Sequence, residues 1–155
     1  MTSVNDIFSP VNQLIGQTLT DLGAYHDVLI LRFGEYEIHV SCFARILHNR
    51  EILLTTQDYQ SWDKEDYRHN DMYLNIAKRG AAVIGQRVRS VDVTPTNDLF
   101  VVLENDAQIE VFCSQGSHSF SEEEEQWFFY KPKDSSYPNM AVYPSGAEKW
   151  ISESE

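Results

Sequence analysis

At 155 residues the chain has room for one domain with a core of its own. It carries 24 Asp and Glu against 12 Lys and Arg, a formal charge of −12 at pH 7. That balance argues against phosphate-backbone binding through clustered cations and favours basic protein partners, although charge of this size also serves solubility alone. A hydrophobic share of 42% with 12% aromatics belongs to folded rather than disordered chains.

The first twelve residues have neither a basic start nor a long apolar run, so no secretory signal is expected. No stretch reaches the roughly 18 apolar residues of a membrane span. A cytoplasmic location with reduced thiols is therefore expected. Ser9-Pro10 reads as a cap and first-turn pair for a short helix with Val11, Leu14 and Ile15 on one face, ending at Gly16.

Three strands follow. Leu19 and Leu22 mark the first, His26-Asp27 a turn, and Val28-Leu29-Ile30-Leu31 a nearly continuous apolar run of a central strand. Gly34-Glu35 turns the chain into an alternating strand that sets Ile38, Val40 and Cys42 against Glu37, His39 and Ser41. A hairpin comes next, Phe43-Ala44-Arg45-Ile46-Leu47 and Glu51-Ile52-Leu53-Leu54-Thr55 joined at His48-Asn49-Arg50.

The same order then recurs. Leu14-Ile15-Gly16-Gln17 returns as Val83-Ile84-Gly85-Gln86, the His26-Asp27 turn as Asn97-Asp98, and Glu37-Ile38-His39-Val40-Ser41-Cys42 as Gln108-Ile109-Glu110-Val111-Phe112-Cys113. The glycines are 69 residues apart and the cysteines 71, so the second copy has two more residues in its first turn. Shared apolar phase, turns and cysteines identify an internal duplication. Before the second copy, Asn70 or Asp71 caps a helix bearing Met72, Tyr73, Ile76 and Ala77, with Gly80 as an interruption. After it, a polar run leads to the strand Trp127-Phe128-Phe129-Tyr130, whose expected partner is Met140-Ala141-Val142-Tyr143. The expected fold is α+β and mainly antiparallel. It is a single compact domain over 1–155, with β-meander halves near 9–56 and 71–143, each preceded by a short helix, and a disordered tail at 152–155.

Catalytic and metal chemistry find no motif. Gly16-Gln17 and Gly85-Gln86 lack the Gly-x4-Gly-Lys-Ser/Thr of a phosphate loop, and their recurrence marks a structural turn. His26, His39, His48, His69 and His118 lack ligand spacing. In His39-x-x-Cys42, strand geometry sends the two donors to opposite faces, so neither metal nor cofactor is expected. Cys42 and Cys113 lack a Cys-His-Asn signature and occupy the inward phase of equivalent strands, the place of a small buried apolar side chain. A disulfide between them across the pseudo-twofold is geometrically conceivable, and a reducing cytoplasm disfavours it. No pair of carboxylates stands out as general acid and base, and no enzyme activity is expected.

Two segments read as surfaces. In one, Tyr59, Trp62 and Tyr67 interleave with Asp58, Asp63, Glu65, Asp66 and Asp71, a pattern suited to anchoring and steering a basic partner. The alternative there is a connecting loop whose aromatics fold back on the core. The other is Glu122-Glu123-Glu124-Glu125, which reads as a solvated face or helix start.

The order Gly-Gln turn, His39-x-x-Cys42-x-x-Arg45-Ile46, Ile52-Leu53-Leu54, Asp58-Tyr59, Ile84-Gly85-Gln86 and Glu125-Gln126-Trp127-Phe128 resembles small immunity proteins of bacterial polymorphic-toxin systems. The likeness is to those of contact-dependent growth inhibition in particular, and it spans Leu14 to Tyr130. It implies a monomer that neutralises one cognate toxin in a 1:1 complex by blocking its active site. Such toxins are often nucleases with basic substrate grooves, which an acidic inhibitor suits. Two rival expectations stand beside it: a small-molecule or enzymatic pocket between the halves, and a homodimer paired through an exposed strand edge.

Overall fold

A computed structural model describes residues 6–113, 125–132, 138–143 and 146–151. The Glu-rich segment up to Glu124 and the tail at 152–155 lie outside the described residues. The fold is α+β and mainly antiparallel, as the alternating patterns imply.

The first meander is β1 (Asp21–Tyr25), β2 (Val28–Phe33) and β3 (Tyr36–Val40), followed by the hairpin β4 (Phe43–His48) and β5 (Glu51–Thr55). A 3-10 turn, Thr56–Ser61, leads through a loop to α1 (Asp71–Arg79). The second meander is β6 (Val88–Val93), β7 (Leu99–Leu103) and β8 (Gln108–Phe112), followed by β9 (Trp127–Tyr130), β10 (Pro138–Tyr143) and β11 (Gly146–Ile151).

The two units exchange their trailing strands. One sheet runs β1-β2-β3-β9-β10-β11 and the other β5-β4-β8-β7-β6. The first meander is thus completed by strands of the second unit, and the second meander by the hairpin of the first. The helical segments cross as well: the first unit's 3-10 helix Asp6–Leu14 contacts β6, while α1 contacts β1. Both sheets turn one face into a common core, with Leu29, Leu31, Phe33, Ile38, Trp127 and Phe129 from one and Ile46, Leu99, Val101, Ile109 and Val111 from the other. The apolar runs of β2 and β7 bury alternate residues only, leaving Val28, Ile30, Phe100 and Val102 half-buried on the outer faces.

The repeated Gly-Gln turns meet at the pseudo-twofold. The Gly16 N–H donates to the Val88 carbonyl at 2.9 Å, and its counterpart, the Gly85 N–H, donates to the Leu19 carbonyl at 2.8 Å. The Leu19 N–H donates to Gln86 O and the Val88 N–H to Gln17 O, both at 2.8 Å. The glycines adopt φ of +87° and +97°, a region other L-residues avoid. Their recurrence therefore has a structural cause.

One local expectation is corrected. The first helix is 3-10 and starts at Asp6, so Ser9-Pro10 lies inside it rather than capping it; Val11 and Leu14, three residues apart, share the buried side, and Ile15 lies past its end, half exposed. The second helix is interrupted at Gly80 as expected: α1 buries Met72 and exposes Ala77, and Val83 reaches the core from beyond the 3-10 turn that starts at Gly80.

Asn70 is the cap. Its Oδ1 accepts from the Tyr73 N–H at 2.9 Å, its Nδ2 donates to Tyr67 O at 2.6 Å, and the side chain is almost fully buried. Asn70→Ala leaves the helix N–H without this acceptor and should cost about 1–2 kcal/mol in a urea melt.

Polar contacts pin each exchanged seam on its outer face. Across β3 and β9, Glu37 Oε1 lies 2.9 Å from His39 Nε2 and accepts from the Tyr130 hydroxyl at 3.1 Å, while Oε2 accepts from Arg32 Nε at 3.2 Å. Across β4 and β8, Arg45 Nε donates to Glu110 at 2.7 Å. Burial pushes the Glu37 carboxyl up, but the hydrogen bonds from His39, Tyr130 and Arg32 outweigh it and hold the group below its ordinary value. A depressed carboxyl contributes stability above its unfolded pKa and loses it as pH falls toward the folded one. Glu37→Gln should therefore lower stability by about 1 kcal/mol at neutral pH. The gap from wild type should close as pH drops through about 4 in parallel thermal melts.

Candidate functional site

The aromatic-acidic segment is built on backbone caps. Thr55 and Asp58 form a reciprocal box around the 3-10 turn: the Thr55 N–H donates to Asp58 Oδ2 at 2.9 Å, and the Asp58 N–H donates to Thr55 Oγ1 at 3.2 Å. Asn75 Nδ2 also donates to Asp58 Oδ2 at 3.0 Å, tying the turn to α1. The Asp58 carboxylate is thus engaged in holding the segment.

The loop beyond is ordered by its own polar groups. Asp63 Oδ1 accepts from the N–H groups of Glu65 and Asp66 at 2.8 and 3.3 Å, and Oδ2 lies 2.6 Å from His69 Nδ1. Asp66 pairs with Arg68 at 2.9 Å, and its carbonyl accepts the Trp62 indole N–H at 2.8 Å. The Glu65 N–H, with His69 behind it, holds the Asp63 carboxyl below its usual value. Arg68 holds Asp66 well below the carboxylate range. Both acids therefore stay ionised through the neutral range.

This organisation brings the aromatic residues together over the β1–β2 turn. Tyr59 stacks on Trp62 with ring centres 5.4 Å apart, and its hydroxyl lies 3.3 Å from His26 Nδ1. Trp62 meets His26 edge-on at 5.9 Å. Tyr67 lies 5.9 Å from Tyr25 and 6.3 Å from Tyr73. Trp62 and Tyr59 are half-buried, whereas Tyr25 and Tyr67 present 60% and 41% of their surfaces to solvent. The inner pair supports and the outer pair is displayed.

The segment carries Asp58, Asp63, Glu65, Asp66 and Asp71, with Asp27 in the β1–β2 turn, against the cations Lys64 and Arg68, and the Arg68 guanidinium lies 5.7 Å from the Tyr67 ring centre. The predicted residues Asp58, Tyr59, Trp62, Asp63, Glu65, Asp66 and Tyr67 occupy one continuous stretch ending at Asp71, the first residue of α1. Tyr25, His26 and Asp27 complete the patch and were not singled out from sequence. Their place in it depends on a contact between residues 33 positions apart. The positive φ of His26, at 52°, is the turn geometry that turns its ring toward Tyr59 and Trp62.

Beside the patch lies an open cleft of about 260 Å³ lined by Asp27, Ser41, Cys42, Phe43, Thr56, Gln57, Tyr59 and Gln60. None of these residues belongs to the second unit, and the volume is below the roughly 300–1,000 Å³ of small-molecule sites. Among the described residues no group of three or more His, Cys, Asp or Glu side chains is placed to share a metal ion. No helix among them is long and apolar enough to cross a membrane. No protein-family model, curated protein or solved structure matches the chain.

Proposed function

We propose that this protein is an immunity protein that binds a basic toxin domain, of nuclease type, and blocks its active site without catalysis or cofactor. The observation that carries the reading is the patch itself: solvent-displayed Tyr25 and Tyr67 beside the stacked Tyr59 and Trp62, on a segment whose carboxylates outnumber its cations. Displayed tyrosines supply contact area at low entropic cost, while surrounding charge steers the encounter. The chain's charge of −12 extends the same attraction beyond the patch. The sequence resemblance to toxin-immunity proteins points the same way.

The reading places the protein in the cytoplasm as a monomer, bound 1:1 to its toxin. Co-expression with the product of the immediately upstream open reading frame tests it. Stoichiometric co-purification, slower to form as salt rises, is expected. A product that is no toxin, or that fails to associate, contradicts it.

A further inference from the structure

The β4–β8 ladder pairs Phe43 with Phe112, Ala44 with Val111 and Arg45 with Glu110. The ladder ends at Phe43 and Phe112; continued one step past it, through the bend at Cys42, the same register sets Cys42 opposite Cys113. Antiparallel pairs alternate between hydrogen-bonded and non-hydrogen-bonded, and three contacts show which kind this is. The Ala44 N–H points away from β8, to Thr56 Oγ1 at 3.0 Å, and the Cys42 carbonyl accepts from the same hydroxyl at 3.2 Å. The Cys113 N–H points away from β4, to Asp98 Oδ1 at 2.7 Å. Cys42 and Cys113 therefore form a non-hydrogen-bonded pair, the kind in which the strands bring Cα atoms to about 4.5 Å. That separation falls within the roughly 4.4–6.8 Å that a disulfide spans.

Side-chain direction agrees. Cys42 shares the phase of buried Ala44 and Ile46, and Cys113 that of buried Val111 and Ile109, so both thiols lie on the same face. They are near enough for the charge of one to act on the other. Neither is in a disulfide; Cys42 is buried and Cys113 half-buried. The pair stands where each meander passes its chain toward the opposite sheet, and Cys42 also lines the cleft beside the aromatic patch.

We propose that Cys42 and Cys113 are a reversible dithiol–disulfide site that locks the crossing of the two units when a peroxide oxidant is present. The Cys113 thiolate, the more accessible, attacks hydrogen peroxide and becomes a sulfenic acid with release of hydroxide. The Cys42 sulfur then attacks the Cys113 sulfur and expels the second oxygen as water. In balance, two thiols and one peroxide give one disulfide and two waters, with two electrons passing from sulfur to oxygen. A dithiol reductant reverses the step by exchange. Burial, and secondarily the neighbouring Cys113, pushes the Cys42 thiol up to about 12. Closure should therefore accelerate as pH rises.

Treating the full chain with hydrogen peroxide, then alkylating and digesting without reductant, tests the proposal. The expected product is one peptide pair joining Cys42 to Cys113, lost on adding dithiothreitol. A rise in thermal midpoint on the order of 10 °C should accompany it, from closing a loop of about 70 residues. Cys42→Ser should leave Cys113 oxidised to sulfenic or sulfinic acid with no internal cross-link. Should wild type instead accumulate sulfinic acid on Cys113 while Cys42 remains alkylatable after unfolding, or yield only intermolecular dimers, the proposal is overturned. The wild-type peptide map alone decides, whether or not the variant folds.

Discussion

Trp127→Ala is expected to lower the unfolding free energy by about 3–5 kcal/mol, a large part of the roughly 5–15 kcal/mol that holds a domain together. Trp127 is fully buried at the start of β9, pairing with Val40 on one side and Val142 on the other. Its indole N–H donates to the Asn97 carbonyl at 2.9 Å, reaching from the first meander's sheet to a turn of the second. Truncation leaves a large cavity at an exchanged seam and an acceptor without that donor. Urea denaturation followed by circular dichroism measures the loss. Trp62→Ala, at a half-buried ring on the surface patch, should lose less than half as much. Equal losses would show that Trp127 has no special place in the core.

Gly16→Ala and Gly85→Ala should each cost about 1–2 kcal/mol, and the double variant at least their sum. An added Cβ at Gly85 meets nothing within 4 Å, and at Gly16 the nearest atom is an Arg87 nitrogen at 3.9 Å. The penalty is therefore one of backbone conformation rather than of collision. The two turns share one block of four reciprocal hydrogen bonds, so strain in one weakens the other, and coupling beyond simple addition is expected. Chemical melts of both single variants and the double variant measure this. A neutral Gly85→Ala would mean that the turn relaxes without loss.

Local chemistry made much of this legible. Period-two alternation marked the inward residues of β3 and β8, the Gly-Gln turns announced the duplication, and the cap of α1 was narrowed to Asn70 or Asp71. The exchange of hairpins was not legible. Alternation says which face of a strand is buried but not which strand lies beside it, and the edges of β3 and β8 offer similar apolar partners. The contact between Glu37 and Tyr130 spans 93 residues and depends on that exchange. The candidate patch was legible as a stretch of residue types. Its inner and outer members were separable only once His26 was seen against Tyr59 and Trp62. The opposition of Cys42 and Cys113 likewise needs the β4–β8 register, which neither strand carries alone.

In the function proposed above, the recurring residues build the scaffold and the divergent segment between β5 and α1, with Tyr25 beside it, carries recognition. Titration calorimetry of the upstream-encoded toxin domain tests this most directly, comparing wild type with the Tyr25→Ala/Tyr67→Ala double variant and with Glu104→Gln, an exposed carboxylate elsewhere. The expected result is a 1:1 complex that the double variant weakens by about 100-fold or more, with Glu104→Gln close to wild type. A double variant that binds as tightly as wild type, or a wild type that does not bind, contradicts it.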